Sequence, residues 1–257
     1  MTGFLTGTAR RSAILTAMLL GVSASGGAFA QDAEPPADLT ITGGVTLASQ
    51  YRFRGISLSD EEFAVQGTIN LNHASGFYAG VWSSSLDGFG ELGGSNTELD
   101  IYGGFKKEVA SGVTLDAGLL YYAYPGSSGG DFEFFEPYAN ISGAIGPATA
   151  KVGVAFAPSQ DALADNSNLY VFGDVSAGIP GAPVTLKAHL GYSEGDTPLT
   201  PTGEYLDWLV GADFVWKNLT LGVAYVDTDI KDEGAFFSGV GKDIVDSAVV
   251  VSLTASF

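Results

Sequence analysis

Leu39-Thr40-Ile41-Thr42-Gly43-Gly44-Val45-Thr46-Leu47-Ala48-Ser49-Gln50-Tyr51-Arg52-Phe53-Arg54 alternates from end to end. The odd positions carry Leu39, Ile41, Val45, Leu47, Tyr51 and Phe53, and the even ones carry Thr40, Thr42, Thr46, Gln50, Arg52 and Arg54. Side chains on successive strand residues point to opposite faces, so this period describes a strand with one oily and one polar side. A helical period of about 3.6 would mix the two sets. The run exceeds the roughly five or six residues usual for globular strands and reaches the ~9–11 that cross a bilayer.

Eleven further segments pass the same test: 63–71, 77–85, 99–105, 113–123, 135–141, 148–156, 169–177, 184–192, 206–214, 219–225 and 245–257. Their polar faces hold Glu98, Asp100, Asp116, Glu136, Lys151, Asp174, Lys187, His189, Asp207, Asp213 and Asp246. The connections alternate. Stretches 56–62, 86–96, 125–134, 158–168, 193–205 and 226–244 are long, whereas 73–76, 106–112, 142–147, 178–183 and 215–218 are short. Short periplasmic turns and longer outer loops are the habit of bacterial membrane barrels. The pattern predicts an all-β, antiparallel, up-and-down transmembrane β-barrel of about twelve strands over 39–257, both termini periplasmic. Slipping the register by one residue would turn Lys151, Lys187, Asp100, Asp116 and Asp213 into lipid. Each base there costs roughly 2–4 kcal/mol at mid-depth and acids somewhat less, which rivals the ~5–15 kcal/mol stability of a fold.

Aromatics fall at segment ends on the oily face. Tyr51, Phe53, Phe63, Phe135, Phe156, Tyr192 and Tyr225 are expected at the outer interface, and Phe77, Phe105, Phe214 and Phe257 at the inner one.

The N-terminus fits export. Arg10 and Arg11 precede an apolar run from Ala13 to Val22 and a small-residue stretch ending Ala28-Phe29-Ala30. This is the layout of a cleaved signal peptide over 1–30, cut between Ala30 and Gln31, with 31–38 as a short periplasmic lead-in. The apolar run is too short for a spanning helix of about 20 residues. Removing 30 of 257 residues leaves 227; both signal bases go, so nine Lys/Arg face 29 Asp/Glu, a net charge near −20. That balance argues against nucleic acid as a partner. The chain has no cysteine, which excludes disulfides and thiol chemistry.

The stretches 49–57 (Ser-Gln-Tyr-Arg-Phe-Arg-Gly-Ile-Ser), 64–67 (Ala-Val-Gln-Gly), 76–82 (Gly-Phe-Tyr-Ala-Gly-Val-Trp) and 98–104 (Glu-Leu-Asp-Ile-Tyr-Gly-Gly) resemble the TorF porin family. The resemblance spans essentially the mature chain, with its sharpest motifs in the first third. It implies a Gram-negative outer-membrane barrel.

Charges lining a lumen set its selectivity. The inward set has eight acids, Glu98, Asp100, Asp116, Glu136, Asp174, Asp207, Asp213 and Asp246, against the bases Arg52, Arg54, Lys151 and Lys187. The outer loops are acidic too, as at 60–62 and 229–233. The expectation is a porin-like channel for passive diffusion of small hydrophilic solutes, favouring cations or neutral solutes. Two questions stay open at this level. The inward charges either line an open pore or pair across it and plug it. Arg52 and Arg54 either guide a carboxylate or sugar acid, or lock to Glu98 or Asp100 and anchor a loop. The alternative function is a non-conducting structural or adhesive barrel acting through its acidic loops.

An enzyme is not expected. Of the two histidines, His73 falls in a periplasmic turn and His189 faces inward amid threonine and lysine. No cofactor motif and no metal-spaced His/Cys set occurs. The acidic loops read as solvated surface, with divalent-ion bridging to lipopolysaccharide as the alternative. The expected surroundings are outer-membrane lipid and lipopolysaccharide. By resemblance to other outer-membrane proteins, the terminal Phe257 is the signal read by the barrel-assembly machinery.

Overall fold

The computed structural model describes residues 38–231 and 242–257. The signal segment 1–30, the Ala30/Gln31 junction, the lead-in up to 37, and Asp232 and Glu233 of the last outer loop lie outside the described residues.

Among the described residues fourteen strands follow in chain order. They are β1 (Leu39–Ala48), β2 (Arg52–Phe53), β3 (Ile56–Ser57), β4 (Ala64–His73), β5 (Phe77–Ser85), β6 (Thr97–Ala110) and β7 (Val113–Ala123), then β8 (Phe134–Ile145), β9 (Ala148–Ala157), β10 (Asn168–Gly178), β11 (Val184–Glu194), β12 (Glu204–Trp216), β13 (Leu219–Thr228) and β14 (Ala248–Ser256). Twelve of them form one closed antiparallel barrel, each next to its sequence neighbours, with β14 returning to β1. β2 and β3 form a separate two-stranded hairpin. Closure satisfies the backbone of every wall strand from both sides, the condition for a sheet to exist in hydrocarbon.

The parity read from the sequence holds around the wall. Ile41, Val65, Ile69, Ile101, Leu119, Val152, Leu190, Val210 and Val251 all point outward and are exposed. Their polar neighbours face inward: Asp100, Glu136, Lys151, Asp207, Asp213 and Thr254 are buried. So large an apolar outer surface has no place in water, and it matches a lipid-facing band. Phe63, Phe77, Phe105, Phe135, Phe156, Phe214, Tyr225 and Phe257 are exposed near strand ends on this face. The Phe77 and Phe105 rings lie 4.9 Å apart.

Several strands run a few residues beyond the expected bounds, and two boundaries change where site residues lie. The first strand stops at Ala48 instead of continuing to Arg54. Tyr51 and Phe53 therefore do not join the outer girdle. Tyr51 is buried, 5.2 Å from the Trp82 ring, and Phe53 meets Tyr122 edge-on at 5.9 Å. The period-two pattern runs on through the break because the β2–β3 hairpin has alternating faces of its own, pairing Arg52 with Ser57 and Phe53 with Ile56. At the other end, the last strand begins at Ala248, and residues 242–245 form a short 3-10 turn. Asp246 is thus exposed ahead of the strand rather than facing the lumen.

The seam is closed by the last residue. Phe257 donates to and accepts from Gly43, both at 3.0 Å, and a Cβ on Gly43 would strike the Phe257 ring. Deleting Phe257 removes both bonds and the ring that covers Gly43. The expected result is misassembled periplasmic material. Normal amounts of heat-modifiable barrel in the membrane fraction would contradict it.

Candidate functional site: a lumen crossed by the first outer loop

Residues 49–63 leave the wall between β1 and β4, and 50–59 fold into the barrel while 60–63 stay exposed. Tyr51 closes the base of this loop, its N–H donating to Ser59 Oγ (2.8 Å) and its carbonyl accepting from Leu58 N–H (2.9 Å). The tip turns at Gly55, whose φ of +84° favours glycine. A Cβ there would run into Thr228 on β13 and Asp207 on β12, so the tip backbone rests against the wall two and three strands round from β1. The loop is pulled inward by an apolar cluster of Tyr51, Trp82, Leu120, Tyr122, Phe134 and Leu163, with Phe53 and Leu58 packed on it.

Arg54 fixes the tip. Its Nη2 donates to both oxygens of Glu136 (2.7 and 2.8 Å) and its Nη1 to Asn168 Oδ1 (3.1 Å). The guanidinium also lies 4.1 Å from the Tyr170 ring centroid. Burial pulls the Arg54 pKa down, and the Glu136 carboxylate more than offsets this, leaving it above its ordinary value. Tyr122 donates a further bond to Glu136 (3.2 Å). Arg52 acts on the seam side. It donates to the carbonyls of Gly55, Ile244 and Asp246 and pairs with Glu61 at 3.0 Å. Both arginines thus anchor a loop, as one of the two open readings had it, but through Glu136 and Glu61 rather than Glu98 or Asp100.

From Tyr170 a polar network continues down the β9–β12 wall. The Tyr170 hydroxyl donates to Asp207 (3.1 Å) and lies 2.8 Å from His189 Nε2. His189 Nδ1 lies 2.7 Å from Asp174 Oδ1, and Lys151 Nζ lies 2.7 Å from Asp174 Oδ2. Lys187 pairs with Asp213 at 2.7 Å. The four bases named from the sequence therefore all sit in ion pairs. Opposite, the hydroxyls of Tyr78 and Tyr138 bond to each other, Tyr78 donates to Asp116 (2.7 Å), and Tyr102 donates to Asn70 (2.5 Å).

Glu136, Lys151, Asp207 and Asp213 lie within this network and are buried; Asp116, Asp174 and Lys187 are half-buried in it. Glu98 and Asp100 also point inward but are enclosed, with no base beside them among the described residues. Sequence reasoning missed Lys106, an inward base that donates to Asn72 (3.0 Å), because its predicted strand ended at Phe105. It also missed the tyrosines as a set, although Tyr102, Tyr122, Tyr138 and Tyr170 stood at inward positions.

This closed twelve-stranded barrel, with an apolar outside, a polar inside and an infolded loop, is of the outer-membrane porin type. Similar solved structures include the NanC porin, with a TM-score of 0.56 and 11% identity over 85% of this chain and 99% of that one. The KdgM porin matches with a TM-score of 0.55 and 13% identity over 84% and 99%. A second KdgM structure, in complex with disordered oligogalacturonate, matches with a TM-score of 0.53 and 12% identity over 84% and 98%. At such identities the likeness is one of fold. No curated protein sequence matches. The chain belongs to the family described as Gcw_chp, bacterial protein of unknown function, whose match covers residues 32–257.

Proposed function

We propose that the chain is a non-enzymatic outer-membrane channel for passive diffusion of small hydrophilic solutes, and that loop 49–63 forms its constriction. The observation that carries this is the reach of the loop from the β1–β4 corner to Glu136 on β8 and to Asp207 and Thr228 on β12 and β13. The porin-type fold and the TorF resemblance support the same reading. Lipid and lipopolysaccharide surround it, and the barrel-assembly machinery inserts it.

Cations or neutral solutes are favoured. Among the described residues, Arg54, Lys151 and Lys187 pair with Glu136, Asp174 and Asp213, Asp207 meets the His189 imidazole, and Asp116 has no Lys or Arg in an ion pair with it. Field lines in a narrow low-dielectric lumen follow the surplus charge. The KdgM porin was solved with oligogalacturonate, a polyanion; paired bases offer such a solute no track here. In a planar bilayer under a salt gradient, the reversal potential is expected to take the sign of cation preference. Anion preference would refute the selectivity. Conductance indistinguishable from the bare bilayer would favour the second reading, a non-conducting structural or adhesive barrel, for which the crossing of the lumen by loop 49–63 is the specific support.

A further inference from the structure

Glu98 and Asp100 stand two residues apart on β6 and so share its inward face. They are 1% and 0% exposed. Glu98 Oε1 accepts the Tyr51 hydroxyl at 3.1 Å. Glu98 Oε2 and both oxygens of Asp100 have no hydrogen-bond partner in the protein. The two carboxyls are close enough to interact directly. Trp82 on β5 and Tyr122 on β7 are the cross-strand partners of Asp100, and Ser84 is that of Glu98. The nearby bases are engaged elsewhere, Arg54 with Glu136 and Arg52 with Glu61.

Two carboxylates taken out of water with no counter-charge are among the costliest arrangements a fold can contain. Something must neutralise them. One shared proton would bridge an oxygen of each carboxyl, leaving one oxygen orphaned and one net negative charge enclosed by aromatic rings. We propose that Glu98 and Asp100 hold a resident hard divalent cation of the magnesium or calcium class beneath loop 49–63. Such an ion cancels both charges and occupies all three oxygens. Oxygen-only donors suit hard cations, and magnesium in particular is bound through one or two carboxylates while keeping several waters. Among the described residues no three Asp, Glu, His or Cys side chains converge on a metal position. The ligand set is therefore the two carboxylates, completed by water and the Tyr51 hydroxyl oxygen. Because Tyr51 belongs to the loop, the ion ties the loop to the β6 wall. The site is independent of whether the barrel conducts.

The test uses the full mature chain, purified in detergent, stripped with chelator and titrated with Tb3+. Excitation through Trp82 should give saturable sensitised emission with one ion per chain, displaced by Mg2+ or Ca2+. The E98Q/D100N variant should lose that phase, and adding Mg2+ should raise the heat-modification temperature of the wild type but not of the variant. Emission unchanged in the variant would assign the metal to the acidic outer loops and overturn the proposal. Metal content of the wild type needs no variant to fold. After gel filtration in Mg2+ buffer, well under one ion per chain, with heat modification indifferent to chelator, would mean that protons neutralise the pair, and would also overturn it. Conductance recorded on the same preparation separates failure of this site from failure of the channel reading.

Discussion

Arg54→Ala is expected to raise the single-channel conductance of the reconstituted barrel several-fold. Arg54 is the side chain that holds the hairpin tip to the wall, through the two bonds to Glu136 and the one to Asn168. Without it the tip keeps the Arg52 bonds on the seam side, the packing of Phe53 and Ile56, and its contacts near Thr228 and Asp207, but loses its tie to β8 and β10. The same change strips Glu136 of its ion-pair partner, and breaking a buried pair from one side costs roughly 3–5 kcal/mol. Two effects are thus mixed, and a second variant separates them. Arg54→Ala combined with Glu136→Gln removes the stranded charge, so stability should largely return while conductance stays high. Planar-bilayer recordings and urea unfolding in micelles supply the two readouts. A native conductance in both variants would mean that loop 49–63 does not set the constriction.

The second large effect is expected at the lipid face. Leu190 lies midway along β11, opposite Gly173 and Trp208, and is 56% exposed. Leu190→Arg should cost roughly 2–4 kcal/mol, the range for a base at the bilayer midplane. Thr185, on the inward face of the same strand and opposite Asp213, is the internal control. An arginine there meets a carboxylate in a polar lumen, and Thr185→Arg should leave stability nearly unchanged. Folding titrations into lipid vesicles measure both. Equal costs at the two positions would contradict the assigned facing.

That facing was legible in the sequence because a strand's side-chain period is set by backbone geometry alone. Val152, Leu190 and Val210 could be sent outward, and Lys151, Asp207 and Asp213 inward, before any neighbour was known. Asp116, Asp174 and Lys187 followed by the same count. Loop lengths likewise gave the up-and-down order, since short turns permit only adjacent antiparallel pairing. Parity failed at Tyr51, Phe53 and Asp246. At those positions the alternation persists but the backbone has left the sheet, and nothing local marks the departure.

What the sequence determined by itself is the wall: alternate residues oily and polar, segments long enough to span a bilayer, and an aromatic last residue. Those features depend on positions a few residues apart. Only the tertiary structure decided which charges meet. Arg54 and Glu136 are 82 positions apart, and Tyr51 and Glu98 are 47 apart. Their contact depends on how the closed sheet brings β6 and β8 around an infolded loop, with every buried charge seeking a partner in a medium that penalises isolation. Periodicity fixes a direction for each side chain, and closure fixes what it finds there.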